Sequence, residues 1–274
     1  MQTDGIENVP KVGSKTFGTF PRQAIAIKDN MPEKRSPLHV WSTLLFATGV
    51  FIGILFVTGA SWADYEASLF DADNGADGIL WSVRCPVMIA PNERGFAQAV
   101  IKNDLPRQRI RRVQTHISAG FVTLMDEHLE TLDLAPGEAR SLRWEFGAEN
   151  AAWKRFVLIR VTLFGSYPSP AQTGSCGVQV VDFWGLPGKW ITFLACFFSW
   201  GFILAGVLLR RRSQIQTGQS KSYSLMSALI GLLLAGMLSV LPGLWLVGAL
   251  SMLGTFLLGL IATAQAINSR SSIF

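Results

Sequence analysis

The chain contains 274 residues, of which 49% are hydrophobic and only 16% are charged, and its mean hydropathy is +0.32. This composition excludes a disordered chain and differs from that of ordinary soluble domains, in which about a quarter of the residues are charged. The net charge of +5 is unevenly distributed, because segments 1–37, 210–222 and 268–274 together carry +7 and residues 62–189 carry −2. Such a distribution is typical of a membrane protein rather than of a nucleic-acid-binding face.

Four long apolar runs, none of which contains Asp, Glu, Lys or Arg, predict four transmembrane helices. Each run is long enough to cross the roughly 30 Å hydrocarbon layer of a bilayer. With their flanks, the spans are assigned to residues 38–62, 189–209, 223–241 and 245–267. The first run begins too far from the N-terminus for a typical cleaved signal peptide, so we expect a stable anchor.

Basic residues before the first span and after the second predict the direction of crossing. By the positive-inside rule, the N-terminus, the basic loop 210–222 and the C-terminal residues 268–274 are cytoplasmic, and residues 63–188 are extracytoplasmic. The tail 1–37 has mixed charge and no hydrophobic period, so we expect it to be largely disordered alone. The chain is therefore predicted to be a multi-pass plasma-membrane protein.

The central segment, residues 63–188, is large enough to have its own core. Alternating runs between turns predict about seven strands and no helix. The candidate strands are Ile79–Cys85, Phe96–Lys102, Ile110–Ile117, Leu129–Leu134, Ala139–Phe146, Arg155–Phe164 and Gly177–Phe183. This number is expected of an immunoglobulin-like sandwich. The predicted fold class is an α+β membrane protein, with four transmembrane helices and an extracytoplasmic Ig-like β-sandwich inserted between helices 1 and 2.

Two segments resemble bacterial Ig-like modules of the CARDB type. Asn92–Asn103 resembles their early strand pair, and Leu134–Glu138 (L-A-P-G-E), followed by an alternating strand at Leu142–Trp144, resembles their later turn and strand. The resemblance covers residues 80–183 at most. It implies a sandwich fold with an adhesion or scaffolding role, and it implies no catalytic residues.

The three cysteines divide between the predicted domain and a predicted span. Cys85 and Cys176 lie near the two ends of the extracytoplasmic domain. Cysteines in that compartment commonly pair, so we expect a disulfide, with two buried free thiols as the alternative. Cys196 lies within the second span and is interpreted as a packing residue.

An acidic, glycine-containing loop at residues 71–78 is the weak candidate for a calcium site. Its oxygen ligands would be Asp71, Asp73 and Asp77. The EF-hand register fails, because Arg84 occupies the position of the bidentate glutamate. A solvated acidic turn is the alternative reading.

Further charged clusters in the domain match no known site. His116 and His128 flank Asp126 and Glu127, but their spacing fits no metal-ligand pattern, so both histidines are interpreted as surface or strand-end residues. We expect no cofactor. A basic run is formed by Arg107, Arg109, Arg111 and Arg112. It is read either as a charged edge strand protected from further pairing or as a docking site for anionic lipid heads or an acidic partner.

Small residues recur on one face of three predicted spans, as close helix packing in a membrane requires. These residues are Gly49 and Gly53 in the first span, Gly231, Ala235 and Ser239 in the third, and Ser251, Thr255, Gly259 and Thr263 in the fourth. They can pack within the four-helix bundle, against helices of another subunit, or both.

No catalytic motif and no ionisable residue at mid-membrane depth is found in the sequence. The first functional hypothesis is a non-enzymatic integral membrane protein that uses its outward-facing domain for binding or scaffolding. It would be an accessory subunit of a larger membrane complex, with the lipid bilayer and a protein as partners and no nucleic acid. The alternatives are a transporter or channel component, or a membrane enzyme acting on lipid or envelope glycan through Asp126, Glu127 or His128. A calcium-responsive sensor would rest on the acidic loop alone.

Overall fold

The computed structural model describes residues 37–71, 76–165, 167, 169–214 and 223–271. The predicted tail, apart from Pro37, lies outside these residues. The described part is an α+β structure with four helices and a sheet-rich domain between the first two. The helices are α1 (Pro37–Leu69), α2 (Gly188–Gln214), α3 (Tyr223–Val240) and α4 (Trp245–Ser271). Two helical segments, Val40–Leu69 and Gly188–Arg212, are long and apolar enough to cross a membrane.

In the described residues, eight strands form two sheets that enclose one core. In chain order they are β1 (Gly78–Ile79), β2 (Met88–Ile89), β3 (Gly95–Lys102), β4 (Arg109–Ala119), β5 (Phe121–Leu134), β6 (Ala139–Phe146), β7 (Phe156–Leu163) and β8 (Gln172–Val180). The large sheet has the order β1-β8-β7-β4-β5, with β2 also paired to β8, and the small sheet is the antiparallel pair β3-β6. The arrangement confirms a β-sandwich.

The small sheet is formed by the two segments that resemble CARDB modules. Strand β3 pairs with β6 from Gly95 opposite Phe146 to Lys102 opposite Ala139. Both strands bury every second side chain, including Ile101 of β3 and Trp144 of β6. Because successive side chains of a strand point to opposite faces, this alternation directs one face into the core and the other to solvent.

Strand β7 is buried on both faces. Val157, Ile159 and Val161 lie in the core of the sandwich, as their alternation predicts. Leu158 lies on the opposite face and packs against Ala67 near the end of α1. The large sheet is therefore the middle layer, between the small sheet and the last turns of α1.

Three of the strand predictions differ from the structure. Of the run Ile79–Cys85, only Ile79 belongs to a strand, and β5 begins at Phe121 rather than Leu129. The last strand, β8, is Gln172–Val180 rather than the predicted Gly177–Phe183. Strand β4 pairs with β5 on one side and β7 on the other. The hypothesis that the arginine run marks a protected edge strand is therefore wrong, because β4 is central. Arg111 is buried and Arg112 is exposed, as the predicted strand alternation requires.

Helices α1 and α2 pack closely through small residues. A Cβ atom on Gly49 would lie 2.7 Å from the carbonyl oxygen of Ser199, and one on Gly53 would lie 2.8 Å from the Ser199 hydroxyl. The Ser199 hydroxyl donates a hydrogen bond to the Gly49 carbonyl (2.9 Å), and the Ser42 hydroxyl donates one to the Gly206 carbonyl (2.9 Å). Such hydrogen bonds stabilise helix pairs where backbones approach closely.

Helices α3 and α4 form a hairpin through a turn at residues 241–244. Gly243 adopts φ +76°, a conformation that favours glycine, and its N–H donates to the Val240 carbonyl. Ser239, Ser251 and Thr255 are buried. Other members of the predicted small-residue faces are not buried. Ala235 is exposed, and no atom lies within 4 Å of a Cβ built on Gly231 or Gly259. The side chain of Thr263 lies outside the described residues.

Candidate functional site

The last turns of α1 attach the sheet domain to the helices. The helix continues past the apolar run and lies on the outer face of the large sheet, where Ala63, Ala67 and Phe70 are buried. Gly177 of β8 permits this approach, because a Cβ atom there would collide with the backbone of Ala63. The domain is therefore packed directly on the helix rather than joined to it by a flexible linker.

A buried carboxylate lies in the same contact. Asp64 of α1 is 7% exposed, and its Oδ1 accepts a hydrogen bond from the Gly177 N–H at 3.0 Å. A buried polar group requires such a partner, since its hydration is lost on burial. This bond fixes the rotation of α1 against β8.

A polar cluster at the end of α1 adds a second fixed point. Arg160 of β7 donates to the Phe70 carbonyl at 2.8 Å, an interaction that satisfies one of the free carbonyls at a helix C-terminus. His116 Nδ1 lies 2.5 Å from Asp71 Oδ2, and His116 Nε2 lies 3.8 Å from Glu127 Oε1. Burial lowers the pKa of Arg160, while the nearby Asp71 carboxylate opposes that shift.

Two predictions are affected by this cluster. The interpretation of His116 as a surface or strand-end residue is wrong, because it is 9% exposed in the middle of β4. Asp71 contacts His116, but Asp73 lies outside the described residues, so the calcium hypothesis stays a prediction. Among the residues that the structure describes, no group of three or more His, Cys, Asp or Glu side chains could hold a metal ion.

The disulfide lies on the core side of the large sheet, whereas His116 and Arg160 lie on the other face of this sheet, towards α1. Cys85, in the segment before β2, is bonded to Cys176 of β8, and their Cα atoms are 6.2 Å apart. Cys176 belongs to the core and Cys85 packs against it. Cys196 of α2 is a half-buried free thiol. The bond supports an extracytoplasmic domain, because disulfides persist in oxidising compartments.

Strand β5 is the main exposed element of the domain. It forms one end of the large sheet, and in the described part of the chain it pairs with β4 alone. From residue 123 to residue 129 every side chain is exposed on both faces. Large apolar side chains in this exposed strand are Phe121, Leu124, Met125 and Leu129.

Asp126, Glu127 and His128 do not form one site on this strand. Asp126 and His128 lie on the face opposite to Glu127, because neighbouring strand residues alternate. Asp126 accepts a hydrogen bond from Asn150 at 2.9 Å, and Glu127 accepts one from Gln114 at 2.5 Å. The acidic side chains thus have local partners on different faces.

Comparisons with known proteins concern the fold of the sheet domain alone. No protein-family model matches the chain, and no curated protein matches it significantly. The CARDB domain of a Pyrococcus furiosus protein is 15% identical to this chain, with 36% of this chain and 84% of that chain covered and a TM-score of 0.29. The domain is thus similar to a CARDB domain, in agreement with the resemblance seen in the sequence.

Two enzymes contain a similar small part. For a Bacteroides uniformis β-glucuronidase the identity is 16%, with 39% of this chain and 13% of the enzyme covered and a TM-score of 0.28. For a Paenibacillus sp. cycloisomaltooligosaccharide glucanotransferase the identity is 13%, with 39% and 15% covered and a TM-score of 0.30. The chain spans only about a seventh of either enzyme, and these low scores carry no argument about activity.

Proposed function

We propose that the protein is a non-enzymatic, membrane-anchored binding or scaffold module, acting as an accessory subunit of a larger membrane complex. It presents the sheet domain outside the plasma membrane and binds an extended segment of a protein partner along β5. The observation that carries the proposal is the long exposed strand β5, at the end of a sheet that is packed directly on α1. A fixed sheet with an open edge suits recognition by strand addition.

The packing of the helices supports a four-span anchor. The turn between α3 and α4 lies beside the start of the sheet domain, since Pro242 and Gly243 line a small cavity together with Asp64 and Cys85. Helices α3 and α4 therefore run from the level of this domain alongside α1. A hairpin that crosses the bilayer twice would leave both chain termini on one side, as the distribution of basic residues requires.

Exposed apolar side chains on the helices further support a lipid environment. Phe51 of α1, Phe197 of α2, Leu238 of α3 and Leu250 of α4 are all more than half exposed. Contiguous apolar surfaces of this kind are unfavourable in water but match the hydrocarbon of a bilayer.

The charges of β5 indicate the chemistry of its partner. The strand contains Asp126, Glu127, Glu130 and Asp133 and no Lys or Arg. A second copy paired along this strand would bring acidic side chains together, and like charges on neighbouring strands are destabilising. The complementary partner is an extended segment with basic side chains between apolar ones, which would cover Met125 and Leu129.

Site-specific photo-crosslinking in intact cells tests this proposal. A photoreactive amino acid at Leu129 is expected to give one discrete crosslinked product, because the side chain is exposed beside the open edge. The same amino acid at Val100, an exposed residue of β3, is the matched control and should not give this product. Met125→Lys, introduced with the probe at Leu129, should reduce the product, because a lysine repels the basic partner.

The mass and the position dependence of the product decide the outcome. A product that contains a different protein, requires position 129 and is lost with Met125→Lys supports the proposal. A product of twice the chain's mass would show self-association and contradict a basic partner. Equal crosslinking from position 100, or no product from either position in native membranes, would also contradict it.

A further inference from the structure

A cavity of about 400 Å³ lies between the α3–α4 turn and the nearby edge of the large sheet. Residues 242–247, from the turn and the start of α4, form one part of its lining. Residues 173–175 of β8, together with β1 and the segment after it, form another part. Ser68 of α1 and Arg160 of β7 also line it. The cavity is separate from strand β5, which lies at the other end of the same sheet.

Aromatic side chains place this cavity at the outer surface of the proposed membrane anchor, on which the inference rests. Trp245 begins α4 and lines the cavity, and its ring meets that of Tyr65 of α1 edge to face, with centroids 5.3 Å apart. The Tyr65 ring lies 6.0 Å from that of Trp62. Tryptophan and tyrosine are enriched at the boundary between hydrocarbon and lipid head groups. In a four-span arrangement the cavity therefore lies at head-group level.

The lining of the cavity combines an apolar part with a cationic part. Leu246 and Val247 of α4, and Trp81 after β1, contribute exposed apolar surface. The sheet domain contributes Arg84 and Arg160. Among the described residues that line the cavity there is no aspartate or glutamate. A ligand that fits this lining has an apolar body and a negatively charged group.

Arg160 adds positive potential to the cavity but already has partners. It is 8% exposed, and its Nη1 donates to the Phe70 carbonyl at 2.8 Å. Burial lowers the pKa of Arg160 and the nearby Asp71 carboxylate raises it, so Asp71 offsets part of the charge. The direct contact with an anion is therefore assigned to Arg84.

Arg84 is held in position by neutral groups. It is exposed, and its Nη1 donates to the carbonyls of Trp81 and Val83, both at 2.8 Å. Its Nε and Nη2 form no hydrogen bond within the part of the chain that the structure describes, and its guanidinium makes no ion pair there. Asp64, which lines the adjoining small cavity, accepts from the Gly177 N–H instead. One edge of a fixed guanidinium is thus available, and such an edge binds two oxygens of a phosphate.

We propose that this cavity binds one anionic glycerophospholipid of the outer leaflet, with its phosphodiester on Arg84 and its acyl chains along Leu246 and Val247. A phosphodiester carries one negative charge, which balances that of Arg84. A zwitterionic head group fits less well, because its additional cation would meet Arg160 and no carboxylate in the lining. The lipid would join the sheet domain to the α3–α4 hairpin, since residues of both line the cavity.

Native mass spectrometry of the purified full chain in a non-ionic detergent tests the site. The chain is incubated with phosphatidylglycerol, phosphatidylcholine or diacylglycerol that carry the same acyl chains. We expect one phosphatidylglycerol per chain to bind first, phosphatidylcholine to bind several-fold more weakly, and diacylglycerol not to bind at the same concentration. Charge-assisted hydrogen bonds to the phosphodiester are the physical reason for this order.

Two pairs of variants relate the binding to the cavity. Arg84→Gln should weaken phosphatidylglycerol binding by about tenfold, as the loss of a charged hydrogen-bond donor predicts. Arg112→Gln, at an exposed arginine of β4 outside the cavity, should bind like the native chain. Leu246→Gln should weaken binding as well, because the acyl chains lose apolar contact. Leu241→Gln is its control, since Leu241 is similarly exposed, 55% against 59%, and does not line this cavity.

Three results would overturn the proposal. The first is equal binding of diacylglycerol and phosphatidylglycerol, which would show that the phosphate is not recognised. The second is native affinity in Arg84→Gln. The third is an equal loss of affinity in Leu246→Gln and Leu241→Gln, a comparison that decides the matter if Arg84→Gln does not fold. Extraction of the native chain from membranes by alkaline carbonate would instead contradict the anchor itself, whereas a retained chain that binds no phospholipid contradicts this site alone.

Discussion

At the residue scale, one buried side chain organises the turn that joins β5 to β6. Asn103 is 3% exposed, and its amide donates to the carbonyls of Arg107, Leu134 and Ala135 at 2.8–3.1 Å. The turn is completed by Gly137 at φ +76° and by Glu138, which accepts from the Ala135 N–H at 2.8 Å. That bond, together with Arg140, holds the pKa of Glu138 below its usual value.

Substitution of Asn103 should therefore destabilise the sheet domain. Asn103→Ala removes the amide that donates to these three carbonyls and is expected to lower the free energy of unfolding by about 2–3 kcal/mol. Chemical unfolding of the full chain in detergent, followed by tryptophan fluorescence, measures this loss, because Trp144 lies in the core. Gln98→Ala removes one exposed hydrogen bond to Ser141 and should cost less than 1 kcal/mol. Equal effects of the two substitutions would contradict the role given to Asn103.

At the element scale, the sequence predicts strands well where one face is buried and poorly elsewhere. Alternation identifies β3, β6 and β7, because each directs a regular apolar set into the core. The first half of β5 has no such pattern, since both of its faces are exposed and its side chains face no common environment. Residues 63–69 extend α1 because their small residues pack on the sheet, a tertiary contact that no local pattern reveals.

The features of the candidate sites, like the strands, can be predicted from the sequence only in part. The predicted extracytoplasmic compartment of Cys85 and Cys176 allows their pairing to be predicted, and the small residues Gly49 and Gly53 mark a close helix contact. The partners of these glycines, Ser199 and Ile203, lie about 150 residues away and carry no separate signal. Arg111 is likewise recognisable as buried only when β4 is known to be a central strand.

The contact between α1 and β8 should depend on the absence of a side chain at Gly177. Gly177→Ala places a Cβ atom against the backbone of Ala63, so α1 must move away from β8 and the Asp64 hydrogen bond lengthens. We expect the unfolding free energy to fall by about 1–3 kcal/mol, as for other overpacked sites. Protection of the Gly177 amide from hydrogen exchange should fall with it.

Gly231→Ala is the matched control, because the same methyl group there meets no atom within 4 Å. It should leave stability unchanged or slightly raised, since alanine restricts the unfolded chain. A strong loss at Gly231 with none at Gly177 would contradict the role of the α1–β8 contact. It would also indicate that the open face of α3 packs against another subunit.

At the scale of the whole molecule, the charge distribution and the disulfide point to the same orientation. The arginines at 210–212 end α2, whereas the sheet domain contains the Cys85–Cys176 bond. Basic residues are retained on the cytoplasmic side during insertion, and disulfides form on the opposite side. Both features therefore support the proposed orientation, in which the two ends of α2 lie in different compartments.

Labelling of single cysteines in intact cells tests this orientation. The background is Cys196→Ala, which leaves only the bonded pair Cys85 and Cys176, inert to thiol reagents until it is reduced. In this background, a membrane-impermeant maleimide should label Glu145→Cys of β6 but not Arg212→Cys at the end of α2. Both side chains are exposed in the structure, so a difference in labelling reports the compartment rather than burial. Permeabilised cells should label both positions. Labelling of position 212 alone in intact cells would mean the reverse orientation, and labelling of both would mean that α2 does not cross the membrane.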